Sequence, residues 1–136
     1  MRSAAVALKF VETPDGYSYT VYLDGNGNGV RSEEIQSGVD RRLNGPERLP
    51  DHFAGVEFGA LPGLPPIDPG GTFPGADPIR LGVSGLATFT ALGTSSSGTV
   101  YIRGRRDAQY AVRIFGDTGK IRIMKFEPRA GQWSPR

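Results

Sequence analysis

The sequence predicts an all-β fold, a sandwich of two antiparallel sheets with about eight strands, and three observations carry this. Apolar residues alternate with polar ones at both ends of the chain, in 6–11 and 17–23 and again from residue 86 onward. Twenty glycines and 11 prolines cut the chain into short segments. No run of about 11 residues carries a helical apolar stripe, and no repeat of fixed period is found. One sheet of this size would leave an apolar face wet, so two packed layers are expected. At 136 residues, 38% hydrophobic and 22% charged, the chain is one globular domain spanning 1–136.

Val6, Leu8 and Phe10 fall on one face of a first strand, which Thr13-Pro14-Asp15-Gly16 ends. Tyr17–Leu23, rich in aromatic and β-branched residues, returns as its hairpin partner. Residues 24–34 read as a polar, glycine-rich loop. Short strands follow over Val39–Leu43 and Phe53–Phe58, separated by Asn44-Gly45-Pro46 and Leu49-Pro50-Asp51. Residues 59–78 hold 11 Gly or Pro in 20 positions and are expected to form a long surface loop. The final third predicts a four-stranded meander over Leu86–Ala91, Thr99–Arg103, Gln109–Phe115 and Lys120–Phe126. Tyr110, Val112 and Ile114 share one face there, as do Ile121 and Ile123, which sends Arg113, Lys120 and Arg122 to the outer side.

Composition excludes several chemistries. With no cysteine there is no disulfide, thiolate nucleophile or thiolate metal site. No stretch approaches the roughly 18 apolar residues of a membrane span, and the N-terminus lacks an apolar core with a processing site, so a soluble body is expected. His52 beside Asp51 is a loop pair rather than a relay, and Ser95-Ser96-Ser97 lacks the Gly-x-Ser-x-Gly spacing of a nucleophile elbow. No phosphate loop, zinc signature or carboxylate dyad stands out, and the chain is expected not to be an enzyme.

Two segments could bind ligands. Asp24-x-Asn26-x-Asn28-Gly29 has the 1, 3, 5 spacing and sixth-position glycine of a calcium loop, with the Val30 carbonyl at position 7. Position 12 is Ile35 rather than glutamate, and Glu33 and Glu34 fall at positions 10 and 11, so Ca²⁺ and a plain Asn/Gly turn are both open readings. Charge supplies the second segment. Residues 1–100 carry 7 Lys/Arg against 11 Asp/Glu, whereas 101–136 carry 9 against 3. That basic end suits either a solvated strand face or a contact for nucleic acid or an acidic partner.

The order of these motifs resembles the GspH/FimT-type minor pseudopilins and pilins. Tyr22-Leu23-Asp24-Gly25-Asn26-Gly27-Asn28-Gly29-Val30-Arg31 with Ile35–Asp40 is similar to that family's "vY-D-gNG-G-vr…dI-GvD" stretch. Leu86–Thr90, Gly98–Ile102, Tyr110-Ala111-Val112, Thr118–Arg122 and the terminal Trp133 are similar to its close. The resemblance implies the periplasmic head of a non-enzymatic subunit of a type II secretion pseudopilus or a type IV pilus. Its partners would be other pilin or pseudopilin subunits and secreted cargo. In the full-length family member an N-terminal apolar helix makes the protein α+β and anchors the prepilin in the inner membrane. That helix is absent from this sequence, and Met1-Arg2-Ser3 is expected to mark a start just after it. Some members bind DNA through a basic Gly-Arg-x-Arg element, to which Gly119-Lys120-Ile121-Arg122 is similar, with Lys125, Arg129 and Arg136 extending the charge. The alternatives are a DNA-uptake pilin and a stand-alone calcium- or carbohydrate-binding sandwich module, with Tyr17, Tyr19, Tyr22, Tyr101 and Trp133 as a sugar platform.

Overall fold

The computed structural model describes residues 4–68, 75, 77–82 and 85–136. It holds two antiparallel sheets of four and six strands, the all-β sandwich class. The first hairpin forms as expected: β1 (Val6–Thr13) pairs with β2 (Gly16–Leu23) along its whole length. The polar loop then runs into a six-residue helix, α1 (Ser32–Ser37), ended by Gly38 in left-handed geometry. The next strand, β3 (Arg41–Glu47), passes through Asn44-Gly45-Pro46 instead of stopping there. It lies at the edge of the sheet, where a proline costs no ladder hydrogen bond, and its register with β2 shifts around Val21.

A single helical turn, α2 (Leu49–His52), carries proline in its first turn, where no intrahelical donor is needed. The strand expected over 53–58 shrinks to β4 (Glu57–Phe58), which with β5 (Ile79–Arg80) borders one long strand, β7 (Gly98–Arg103). Between them, residues 59–68 form neither strand nor helix, yet Leu64 is only 3% exposed. The expected surface loop is therefore, over 60–67, a cover for the sheet; residues 69–74 and 76 lie outside the described residues.

The four-stranded meander needs correction. β6 (Leu86–Phe89) leaves for the other sheet and pairs with β1, so the meander is β7, β8 (Gln109–Phe115) and β9 (Lys120–Glu127). A further strand, β10 (Gln132–Pro135), completes it beyond the turn at 128–131. The sheet orders are β3-β2-β1-β6 and β10-β9-β8-β7-β4.

Each sheet buries one face under its own connecting segments. On the first sheet Ala7, Leu86 and Tyr22 pack with Val30 and Ile35, which the glycine-rich loop and α1 supply. On the second, Tyr101, Ala111 and Met124 pack with Leu64, and Ala60, Leu61, Ile67, Phe126 and Trp133 surround them. Gln109, 1% exposed, ties the cover down. Its side-chain carbonyl accepts from the Leu61 N–H at 2.9 Å, and its amide donates to the Gly59 carbonyl at 3.1 Å. The Trp133 indole N–H donates to the Pro65 carbonyl at 3.0 Å.

The β7–β8 connection is strained. Arg106 (φ 58°) and Asp107 (φ 57°) are consecutive left-handed residues, the geometry of a type I′ turn that Asn-Gly fills without steric cost. Replacing them with Asn and Gly should stabilise the protein by about 1 kcal/mol. That net value allows for loss of the exposed Arg103–Asp107 ion pair at 2.9 Å. A thermal melt raised by a few degrees is the expected readout.

Candidate functional site

The faces that the loops leave uncovered are apolar. In β1 and β2, strand alternation puts Val6, Leu8, Phe10, Tyr19, Val21 and Leu23 opposite the covered face, with Ala87 and Phe89 of β6 beside them. In the second sheet the same alternation groups Val100, Ile102, Tyr110, Val112, Ile114, Ile121 and Ile123. Phe58 shares that side, because it pairs with Ile102. Its ring meets Phe10 edge-on at 5.3 Å and Tyr19 at 6.2 Å, so the two apolar faces join at this corner. Burial is incomplete: Ala87, Val100 and Ile114 are buried, but Ile123 is 49% and Ile121 54% exposed. The sequence reading placed Tyr110, Val112, Ile114, Ile121 and Ile123 correctly on shared faces. What it did not anticipate is that this side is only partly covered, with Ile121 and Ile123 exposed, while Ala7, Leu86, Ala111 and Met124 are buried on the opposite one.

The glycine-rich loop is organised by two buried carboxylates. Asp24 is 8% exposed; its Oδ1 accepts from the N–H groups of Asn26 (3.1 Å) and Gly27 (3.0 Å), and its Oδ2 from Gly29 (2.8 Å). Asp40, 1% exposed, accepts from the Gly25 N–H at 2.9 Å and the Arg31 N–H at 2.8 Å. Sequence reasoning met Asp40 only as the end of the resembling stretch and gave it no role, since it lies 15 residues beyond Gly25 and shows no ligand spacing. Of the candidate calcium ligands, the side chains of Asn26, Asn28 and Glu34 meet one another, while both Asp24 oxygens face backbone N–H groups. The amide of Asn28 donates to Glu34 Oε1 at 2.6 Å, and that of Asn26 to Oε2. Glu33 is exposed, and the side chain of Val30, whose carbonyl was the expected ligand, packs into the core. The all-oxygen donor set suits a hard cation. An ion entering here would have to displace both asparagine amides from Glu34 and turn their carbonyl oxygens inward. Among the described residues no three His, Cys, Asp or Glu side chains form a metal-binding group.

Burial alone would raise the Asp24 pKa, but the backbone N–H groups of Gly29, Asn26, Gly27 and Asn28 outweigh it and hold the carboxyl below its ordinary 3.8. A depressed carboxyl stabilises the fold above the unfolded-state pKa, and that stability drains away as pH falls through the folded-state value. We expect a chemical-denaturation series from pH 6 downward to lose stability below about pH 4, and Asp24→Asn to lose less over the same interval.

No family model, curated protein or solved structure matches this chain.

The basic candidates separate. Lys120 and Arg122 are exposed on the side of β9 that also carries Met124; Arg122 lies across from Arg113, and both guanidinium groups approach the Phe115 ring, at 5.9 and 4.8 Å. Arg113 is not the free outer charge expected of it. It pairs with Asp68 at 3.2 Å and donates to the Gly98 and Ile114 carbonyls. Lys125 points to the opposite side and, with Arg136, approaches the Tyr110 ring, whereas Arg129 is exposed in the β9–β10 turn. The aromatic residues named as a sugar platform are spread over both sheets. Tyr101 and Trp133 pack on each other at 6.0 Å, Tyr19 packs on Phe58, and Tyr22 packs over Ala7.

His52 shares a hydrogen bond with Glu47 at 2.8 Å on the surface. Of the serine run, Ser97 Oγ accepts from the Gly116 N–H, and Ser96 Oγ from the Thr88 N–H. These are bonds that hold the β6–β7 connector. Sequence reasoning also missed a polar cavity of about 460 Å³ whose lining includes Asp68, Asp77, Arg80, Tyr101 and Arg113, residues drawn from separate segments. Burial raises the Tyr101 pKa there, with Asp68 adding to the effect and Arg80 and Arg113 opposing it.

Proposed function

We propose that this chain is the periplasmic head of a GspH/FimT-type minor subunit of a type II secretion pseudopilus or a type IV pilus, acting through protein contacts. The observation that carries the reading is the open apolar side joined at Phe58. Both sheets already bury the centre of one face under their own loops, so the remaining side, with Ile121 and Ile123 exposed, is suited to a further packing element. In the proposed subunit an apolar helix takes that place, and the loops on the covered faces are left to touch neighbouring subunits or cargo.

The test is genetic and structural together. Deleting the gene should abolish or sharply reduce export or piliation, and wild-type protein supplied in trans should restore it. Ile121→Glu combined with Ile123→Glu should leave the isolated head folded, since both side chains are about half exposed, yet fail to complement. A deletion strain with normal export and normal filaments would count decisively against the proposal.

The neighbouring exposed cations Lys120 and Arg122 favour a second reading, a minor pilin that contacts DNA phosphates. Here Lys120→Ala with Arg122→Ala should abolish a salt-sensitive gel shift. Salt-independent retention, or none, would remove this reading.

A further inference from the structure

The chain holds three Asn-Gly pairs, Asn26-Gly27, Asn28-Gly29 and Asn44-Gly45. Asparagine before glycine is prone to cyclise, because glycine offers the following amide nitrogen without a side chain in the way. In that reaction the glycine nitrogen attacks the asparagine Cγ and the N–Cγ bond forms. The Cγ–Nδ2 bond breaks, and ammonia leaves carrying the proton from the glycine amide. Water then opens the succinimide at either carbonyl, giving aspartate or isoaspartate. The attacking amide must lose its proton, so whatever holds that proton controls the rate.

In the first two pairs the proton is held by an anion. The Gly27 N–H donates to Asp24 Oδ1 at 3.0 Å and the Gly29 N–H to Asp24 Oδ2 at 2.8 Å, and Asp24 is buried. The side-chain amides of Asn26 and Asn28 are drawn off to Glu34. The third pair is different. The Gly45 N–H donates to the side-chain carbonyl of Asn44 itself, at 2.9 Å, and Asn44 is exposed to water on the edge strand β3. Gly45 has φ +103° where β3 slips register against β2. The Oδ1 contact thus already holds Cγ close to the Gly45 nitrogen, and rotation about χ1 of Asn44 with a change in its ψ closes the remaining distance.

We infer that Asn44-Gly45 is a self-modification site of this protein, converting to aspartate and isoaspartate in the folded state, and that the buried Asp24 carboxylate protects the two asparagines of the glycine-rich loop. The product places a new negative charge on the exposed edge strand and, as isoaspartate, lengthens the main chain by one carbon where β3 meets β2. Loosening of that sheet edge follows.

The experiment is to incubate the purified, folded protein in mildly alkaline ¹⁸O-water and to follow tryptic peptides by mass spectrometry. A short synthetic peptide spanning 41–48 gives the unfolded reference rate. Asn44 should acquire label, in the fragment Leu43–Arg48, at a rate comparable with that peptide. Asn26 and Asn28, in the fragment Phe10–Arg31, should react more slowly by on the order of tenfold or more, the factor set by breaking a hydrogen bond to a charged group. Asp24→Ala should raise the rate at 26 and 28 and leave that at 44 unchanged. Asn44→Gln should remove the acidic species on isoelectric focusing. Wild-type protein in which Asn44 stays intact while the peptide converts, or in which Asn26 or Asn28 converts first, overturns the inference without reference to any variant.

Discussion

Gly25→Ala should destabilise the protein by about 3 kcal/mol or more and lower its melting temperature by on the order of 10 °C. A β-carbon at Gly25 would lie 1.8 Å from the Val39 carbonyl oxygen and 2.8 Å from its carbon, both backbone atoms with no rotamer to escape into. Nor can the Val39 peptide simply retreat. The next residue, Asp40, donates its N–H to the Glu34 carbonyl at 3.0 Å and holds the N–H groups of Gly25 and Arg31 with its buried carboxylate. Relief of the clash therefore breaks hydrogen bonds to a buried charge, worth about 1.5–3 kcal/mol each. Gly27→Ala is the control. A β-carbon there meets nothing within 4 Å, and its cost is confined to the left-handed backbone at φ +83°, about 1 kcal/mol. Urea unfolding of both variants decides the matter, and a Gly25→Ala protein within 1 kcal/mol of wild type would mean that the loop is not locked as described.

This lock also marks where the sequence stops being legible. The spacing of Asp24, Asn26 and Asn28 marked the loop as a calcium site or an Asn/Gly turn, without showing that Asp24 would accept from the loop's own N–H groups. Asp40 carries no local signature, because its partners are backbone N–H groups 9 and 15 residues earlier. Strands with their partners close in sequence were readable: β1 with β2, and β7 through β9. β6 looked like the first strand of that meander because alternation identifies a strand but not its partner, and its register with β1 spans some 80 residues. α1 has only six residues, too few for a periodic stripe, and shows itself mainly through Gly38 at its end. Asn44-Gly45-Pro46 is a local stop signal that an edge strand overrides. The open apolar side was half legible, since alternation named its residues, while their exposure depends on which loops fold back over which face.

Gln109→Leu should cost about 3 kcal/mol, although leucine nearly matches the volume it replaces. The Gln109 side chain sits in a dry position and joins the cover at 59–61 to the middle of the second sheet. Its amide also donates to the carbonyls of Ile102 and Tyr110, at 3.2 and 3.0 Å. Leucine would strand the Leu61 N–H and the Gly59 carbonyl away from water, at about 1–3 kcal/mol apiece, and the added apolar burial offsets only part of that. The loss should be local before it is global. Hydrogen exchange should accelerate first over 59–64, and the fluorescence of Trp133, the only tryptophan, should shift to the red as the cover lifts from Tyr101 and Met124. Gln109→Glu separates packing from hydrogen bonding. It keeps the acceptor for Leu61 but turns a carboxylate toward three carbonyl oxygens, so it should be less stable than Gln109→Leu at neutral pH. Protonation restores a donor, and burial raises the pKa of the introduced carboxyl, so its stability should recover as pH falls. A Glu variant as stable as wild type at neutral pH would show that water reaches this position and that the cover is not sealed.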